Sequence, residues 1–190
     1  EMSGSSVRPT VGKLVGEVVG DVKLSASGPR AGIFPDFDRS NSSLSLRGAG
    51  NFIRIKDPGE MSVLDFHNGD SITLEAWVNP SGLPSGYSYI IGKGRTGNLG
   101  FPVNNQNYSL RLANIYGQAG ITFLFRDARN KTDDHWHRWT SVSGFAATSG
   151  WHHVAVSYTF GKENSLRGYI DGQPVNGKWD KGGKTGQAPL

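Results

Sequence analysis

The chain contains no cysteine among its 190 residues. This absence excludes disulfide bonds, thiolate metal ligands and cysteine nucleophiles together, although it leaves the cellular compartment open. No apolar run approaches the length of a membrane span, so we expect no insertion into a bilayer. The sequence begins with Glu1 and shows no secretion signal, which predicts a piece cut from a longer protein.

Charge of either sign is modest. The 20 Lys and Arg residues and the 16 Asp and Glu residues give a formal net charge of +4 and are scattered along the chain. Because they form no dense basic stripe, nucleic acid is not an expected partner. Glycine is abundant instead, with 27 residues beside 9 prolines. This composition predicts a turn-rich chain, and its length suits a single β-sandwich domain.

The stretch Trp151–Gly172 has the pattern of a β-hairpin. From Val154 to Phe160, large apolar side chains alternate with small or polar ones, which is the period of a sheet and not of a helix. A polar turn follows, and Leu166 and Ile170 share one face of the returning strand. Asp171-Gly172 then tolerates the positive φ of a tight turn. The chain is therefore predicted to reverse twice within this stretch.

The hairpin resembles the "W-H-x-V-A-V... Y-V-D-G" core of laminin-G-like modules, which belong to the concanavalin A-like jelly-roll superfamily. The similar residues of the hairpin are Trp151–Val156 and Tyr169–Gly172. Four earlier stretches also resemble family motifs and occur in the same order as in the family: Leu44–Gly48, Phe52–Ile55, Ser71–Val78 and Tyr89–Gly94. The resemblance implies an all-β fold, a two-sheet antiparallel jelly-roll sandwich. It fixes no ligand, because this superfamily includes lectins, glycosidases and adhesive modules.

Three regions are predicted along the chain. Residues 1–42 form a loose N-terminal segment with short edge strands, residues 43–176 form the sandwich core, and residues 177–190 form a Gly- and Lys-rich tail. Within the core, Leu44–Leu46 and Phe52–Lys56 are expected to pair with each other.

The end of the chain departs from the family pattern. Laminin-G-like modules close with another strand pair after the hairpin, so the final closing strands are expected to be missing from this chain. An unpaired sheet edge is a hazard that proteins cover or pair. We therefore predict that the tail folds back as an edge strand, or that another chain supplies the strand in an edge-paired oligomer.

Two polar segments, residues 94–108 and 126–139, contain the types of side chain that sugar-binding sites use. Aromatic faces pack on C–H surfaces, while planar amide, carboxylate and guanidinium groups bind hydroxyls. If the strands pair as predicted, both segments lie on one rim of the sandwich. The predicted ligand-binding residues are Arg95, Asn104, Asn105, Arg126, Asp134, His135, Trp136 and His137.

These residues favour a non-catalytic module that binds a carbohydrate or glycoconjugate. The alternative is an adhesion or spacer module with another protein as its partner and no glycan ligand. A glycoside hydrolase of the same superfamily is less favoured, because it needs paired carboxylates and the strands carry Glu75 and Asp171 singly. The family resemblance also implies a module of a larger secreted or surface protein, in an extracellular, cell-surface or periplasmic location.

Calcium is the one cofactor expected, because laminin-G-like modules often bind it at the rim through carboxylates and backbone carbonyls. One candidate ligand set is Asp127, Asp133 and Asp134. Another is Asp65, Asn68 and Asp70. His135 and His137 could also hold a transition metal if a third ligand joined them, and a solvated loop is the competing interpretation.

His152 and His153 invite a catalytic interpretation, but their position in the family motif favours packing. Adjacent strand residues point to opposite faces, so the two imidazoles cannot act on one substrate atom together. Trp77 and Trp151 are likewise expected to pack in the core.

Overall fold

The structure is a computed structural model, and it describes residues 2–3, 6–95, 105–127 and 135–189. Every named element in this part of the chain is a β-strand, and every pair of neighbouring strands is antiparallel. Among the same residues there is no helix with the length and apolar character that a membrane crossing requires. The chain divides into two compact units, Glu1–Ser62 and Val63–Leu190.

The first unit holds short strands arranged in two small sheets. Its strands are β1 (Met2–Ser3), β2 (Ser6–Val7), β3 (Gly16–Val19), β4 (Val22–Ser27), β5 (Ser42–Leu46) and β6 (Phe52–Ile55). One sheet has the order β1-β2-β3-β6, and the other pairs β4 with β5. The predicted boundary at residue 42 thus differs from the division after Ser62, because β5 and β6 pair with strands of the first unit.

The expected pairing of Leu44–Leu46 with Phe52–Lys56 is wrong. Leu46 lies opposite Val22, and Phe52 lies opposite Val19. Between β5 and β6, Gly48 and Gly50 take positive φ values of 74° and 85°, which only glycine adopts without strain. This loop carries the chain from one small sheet to the other instead of closing a hairpin.

The second unit contains two larger sheets. In its described residues the strands are β7 (Ser71–Val78), β8 (Tyr87–Lys93), β9 (Tyr108–Ile115), β10 (Gln118–Arg126), β11 (Trp136–Ser141), β12 (His152–Thr159), β13 (Arg167–Ile170), β14 (Gln173–Val175) and β15 (Gly177–Lys181). A five-stranded sheet has the order β15-β11-β10-β9-β8, and a four-stranded sheet has the order β14-β13-β12-β7. The predicted two-sheet antiparallel fold is confirmed.

An apolar core lies between these two sheets. Phe123 and Phe125 on β10 are fully buried, as are Val154 and Val156 on β12. The ring of Phe123 lies 5.7 Å from the ring of Tyr158 on the opposite sheet. Aromatic pairs at such distances add about 0.5–1.5 kcal/mol beyond the burial of their area. The period of two in the sequence therefore corresponds to one buried face on each sheet.

The tail folds back as an edge strand, which is the first of the two predicted alternatives. β15 pairs with β11, so that Trp179 lies opposite Trp139. It supplies a closing strand that we expected to be missing. A Cβ at Gly177 would lie 2.1 Å from Cζ2 of Trp139, so glycine permits this close approach.

The burial of Tyr158 should make the sandwich less stable at alkaline pH. Its side chain is buried and its hydroxyl donates to the carbonyl of Thr185 at 3.3 Å. Burial, and then the charge of Glu163, raise the pKa of Tyr158 to about 12.

Between about pH 10 and pH 12 we therefore expect the unfolded state to lose the phenolic proton while the folded state keeps it. Stability should fall by about 2–3 kcal/mol over this window and then level off. The measurement is urea unfolding at pH 9 to 12 compared with Tyr158→Phe. The stability difference between the two proteins should shrink as the pH rises, and a constant difference would contradict the assignment.

Candidate functional site

The described ends of the two polar segments lie at the same end of the five-stranded sheet. Lys93 pairs with Tyr108, Tyr108 with Phe125, and Phe125 with His137. Because neighbouring strands are antiparallel, the ends of β8 and β10 lie beside the starts of β9 and β11. Both segments therefore leave the sheet from one rim.

Two guanidinium groups lie over the indole ring of Trp136 at this rim. The Cζ atom of Arg95 lies 5.2 Å from the centroid of the indole, and that of Arg126 lies 5.9 Å from it. Both distances fit cation–π contacts. Trp136 and Arg126 are buried, whereas Arg95 is exposed. Arg95 is therefore the member of this stack that can meet a ligand directly.

The backbone around Arg95 is fixed by its neighbours. Arg95 has a φ of 52°, a conformation that is costly for a residue other than glycine. Its N–H donates to Oδ1 of Asn105 at 2.6 Å, which holds the two ends of the segment together. A Cβ at the preceding Gly94 would lie 1.8 Å from the carbonyl oxygen of Asn105, so this position requires glycine. These contacts set the direction in which the Arg95 side chain leaves the sheet.

A chain of hydrogen bonds connects Arg95 to the interior of the sheet. Nη1 of Arg95 donates to the hydroxyl of Tyr89 at 3.3 Å, and that hydroxyl donates to Oε1 of Gln106 at 2.9 Å. Gln106 is fully buried, and its Nε2 donates to the carbonyls of Lys93 and Tyr108 at 2.7 and 2.9 Å. These hydrogen bonds hold the guanidinium group of Arg95 in place in the absence of a ligand.

Asp127, His135 and His137 form a polar group beside the stack, in which Asp127 and His137 are buried and His135 is half-buried. Nδ1 of His135 lies 2.8 Å from Oδ1 of Asp127, and Nε2 of His137 lies 2.9 Å from Oδ2. Nδ1 of His137 lies 2.9 Å from the carbonyl of Gly183, which can only accept, so this nitrogen carries a proton. A further proton must lie between Nε2 and the carboxylate. Asp127 and His137 therefore share a proton, and the carboxylate joins the start of β11 to the end of β10.

The structure brings five of the predicted ligand-binding residues together. These are Arg95, Asn105, Arg126, His135 and Trp136. His137 differs from its predicted role, because it is only 2% exposed and its ring stacks on Phe125 at 4.9 Å, on the core side of the sheet. Asn104 and Asp134 lie outside the described residues.

The candidate calcium ligands that the structure describes make contacts with other protein groups. Both oxygens of Asp127 already contact imidazoles, and Asp133 and Asp134 lie outside the described residues. In the alternative set, Asp65 pairs with Lys93, and Asp70 accepts the N–H of His67 at 2.7 Å. Within the residues that the structure describes, no group of three or more His, Asp or Glu side chains is arranged to hold a metal ion.

Sequence reasoning missed a second polar group, formed by Ser149, His152 and Asp171. Oγ of Ser149 lies 2.7 Å from Nε2 of His152, and Nδ1 of His152 lies 2.7 Å from Oδ2 of Asp171. The order matches that of a serine hydrolase triad. The sequence feature that could have revealed this group is the tight turn at Asp171, because it places the aspartate beside His152 at the start of β12.

The direction of the hydrogen bonds argues that these three residues hold a turn. Oγ of Ser149 donates its proton to the carbonyl of Ala146 at 2.5 Å. Nε2 of His152 must then donate to Oγ, so the imidazole is no base in this arrangement. The ring of His152 also stacks on Phe145 at 4.0 Å, and Asp171 accepts the N–H of His153 at 2.9 Å. The group therefore ties the 146–149 turn to the hairpin.

Two facing antiparallel sheets with a shared core and a polar rim define this part of the chain as a jelly-roll β-sandwich module. The family model of the concanavalin A-like lectin/glucanases superfamily, in its laminin-G form, matches residues 48–189. The chain therefore belongs to this superfamily, which confirms the family resemblance. The searches among curated proteins and among solved structures found no match.

Proposed function

We propose that the chain is a non-catalytic module that binds carbohydrate at the rim where Arg95 and Trp136 meet. The observation that carries the proposal is the stack of Arg95, Trp136 and Arg126, with Asn105 and His135 beside it. Membership of a superfamily of lectins and glucanases supports a glycan ligand without choosing between binding and hydrolysis.

The geometry suits recognition of sugar hydroxyls. The guanidinium of Arg95 presents a planar fork of donors that can bind two neighbouring oxygens. Because Trp136 and the hydroxyl of Tyr89 already hold this side chain, little rotamer freedom remains to be lost on binding. The contact of Nδ1 of His135 with Asp127 orients that imidazole, so that its Nε2 is directed away from the carboxylate.

The contacts of Glu75, Asp171 and Ser149 argue against a catalytic role. A glycosidase needs two carboxyl groups that flank one bond. Glu75 contacts His153 at 3.4 Å, while Asp171 contacts His152 at 2.7 Å, so each carboxylate is paired with its own imidazole. The proton of Ser149 is committed to a carbonyl. These pairings support a binding module and disfavour a hydrolase.

Arg95→Ala should weaken polysaccharide binding by about ten-fold or more, because a charged hydrogen bond contributes about 1.5–3 kcal/mol. Affinity electrophoresis against a panel of neutral and acidic polysaccharides, followed by titration calorimetry, measures the loss. Arg39→Ala is the matched control, because Arg39 is an exposed arginine in the first unit.

Unchanged affinity in Arg95→Ala would contradict this site. If no polysaccharide binds and the chain instead captures a purified protein segment of its parent, the adhesion alternative replaces the proposal. Release of reducing sugar from a bound polysaccharide would contradict the non-catalytic role. Arg95 is preferred to Trp136 for this test, because loss of a buried tryptophan costs about 3–5 kcal/mol of stability and confounds the readout.

Calcium binding and an extracytoplasmic location remain predictions. Calcium would need oxygens other than those of Asp127, whose carboxylate contacts two imidazoles. The family resemblance supports a module within a larger secreted or surface protein, in which the rim presents a glycan-binding surface.

A further inference from the structure

The outer face of the five-stranded sheet, opposite the core, is polar along its centre. Side chains alternate along each strand, so residues next to Leu110 and Phe123 of the core point outward. One row of paired positions crosses all five strands. The row is Tyr89, Arg111, Thr122, Thr140 and Lys178.

Arg111 is the unusual member of this row. It is 3% exposed, yet its contacts are with neutral groups. Its Nε donates to the hydroxyl of Thr122 at 3.2 Å, and its Cζ lies 4.1 Å from the Tyr87 ring and 5.5 Å from the Tyr89 ring. Its Nη2 has no hydrogen-bond acceptor in the described structure. Arginine keeps its charge in proteins, so this is a buried cation without a carboxylate partner among the described residues.

Two hydroxyls on the same face share this condition. Oγ of Ser109 and Oγ1 of Thr140 are buried and have no hydrogen-bond partner among the described residues. Ser109 precedes Arg111 by two positions on β9, and Thr140 lies opposite Thr122, which contacts Arg111. Buried polar groups in proteins are almost always hydrogen-bonded. Three unmatched groups on one sheet face therefore point to ligand atoms that complete them.

We propose that this outer face binds an acidic saccharide, with the carboxylate of a uronic-acid unit on Arg111. Ser109 and Thr140 bind its hydroxyls, and the rings of Tyr87 and Tyr89 pack on its C–H faces. The inference rests on the proposed function and names its ligand class, since the hydroxyl of Tyr89 joins this face to Arg95.

The charge of the face favours an acidic ligand over a neutral one. Its described strand residues include the cations Arg111, Arg126, Arg138 and Lys178 and the anion Asp180, which pairs with Arg138 at 2.7 Å. A carboxylate can meet a guanidinium through two parallel hydrogen bonds, which a neutral hydroxyl cannot equal. Tyr87 and Tyr89 lie on the edge strand β8 and are 45% and 46% exposed, so their rings are open to a ligand at the edge of this face.

The test compares polygalacturonate with its methyl ester, which has the same backbone without the negative charge. We expect the full chain to bind the acid form about ten-fold more tightly or better, and to lose this preference as salt is raised. Arg111→Met should remove the preference. It should also leave the thermal midpoint unchanged or raised, because it deletes a buried cation that lacks a counter-ion. Arg167→Met, an exposed arginine on the other sheet, is the matched control and should bind like the parent chain.

Thr140→Val is a second variant that keeps the side-chain shape, and it should weaken binding of the acid form without loss of stability. Equal binding of the two polymers would overturn the inference, as would unchanged affinity in both Arg111→Met and Thr140→Val. If Arg95→Ala abolishes binding while both of these variants bind normally, the proposed function stands and this inference fails. If neither polygalacturonate nor its ester binds while another polysaccharide of the panel does, this inference fails alone; if no polysaccharide of the panel binds, both fail.

Discussion

Replacing Asp127 with alanine should lower the free energy of unfolding by about 3–5 kcal/mol. The carboxylate is fully buried and contacts two imidazoles, at 2.8 and 2.9 Å. Without it, His137 keeps a protonated Nδ1 on the carbonyl of Gly183 and has no partner for Nε2 in a 2% exposed site. Urea unfolding followed by tryptophan fluorescence measures the loss.

Asp180→Ala is the matched control in the same sheet. Asp180 also pairs with a cation, Arg138 at 2.7 Å, but both side chains are about a quarter exposed. Such pairs contribute about 0–1 kcal/mol, so this variant should unfold almost like the parent chain. A loss below about 1 kcal/mol in Asp127→Ala would show that the buried group is not a unit.

The double variant Asp127→Ala with His137→Leu gives an independent check. If the two residues act together, the loss in the double variant should be smaller than the sum of the single losses, because the apolar replacement of the imidazole no longer leaves a polar nitrogen buried without a partner. Additive losses would indicate that each residue stabilises the sheet separately.

The alternation of apolar and polar side chains predicted the sandwich, because the strands with the clearest alternation have a single buried face. Val154, Val156 and Tyr158 alternate with smaller or polar residues, and these positions do line the core. The pattern failed at β15, where Trp179 is the one large apolar side chain among glycine, lysine and aspartate. An edge strand that places one aromatic ring inward carries almost no periodic signal.

The candidate site was predictable only as far as strand order allows. Antiparallel pairing from β8 to β11 requires both polar segments to leave from one rim, which accounts for the meeting of Arg95 and Trp136. The pattern could not reveal that His137 turns inward to share a proton with Asp127, because that depends on the register of Arg126 with Trp136. The contacts of Arg111 likewise depend on Tyr87, which comes from another strand.

Truncation before Gly177 should destabilise the second unit by more than about 4 kcal/mol. Losses of this size are typical of changes that remove core packing. The deletion removes β15 and with it Trp179, whose ring lies 6.2 Å from Phe125 and 5.7 Å from Tyr158. It also removes the carbonyl of Gly183, which His137 contacts. Thermal unfolding of the truncated chain should therefore show a midpoint lowered by at least about 10 °C, or no cooperative transition.

Hydrogen exchange on the full chain tests whether β15 is part of the stable sheet or a tail that does not contribute to stability. Amides of β15 that bond to β11 should exchange as slowly as those of β10, because the strand belongs to the cooperative sheet. Trp179→Ala should reproduce part of the truncation, since the half-buried ring packs on Phe125 and Tyr158. Fast exchange throughout residues 177–181, with a truncated chain as stable as the parent, would contradict a stabilising role of β15.

The truncated chain should also associate at micromolar concentrations, because its β11 edge is left unpaired.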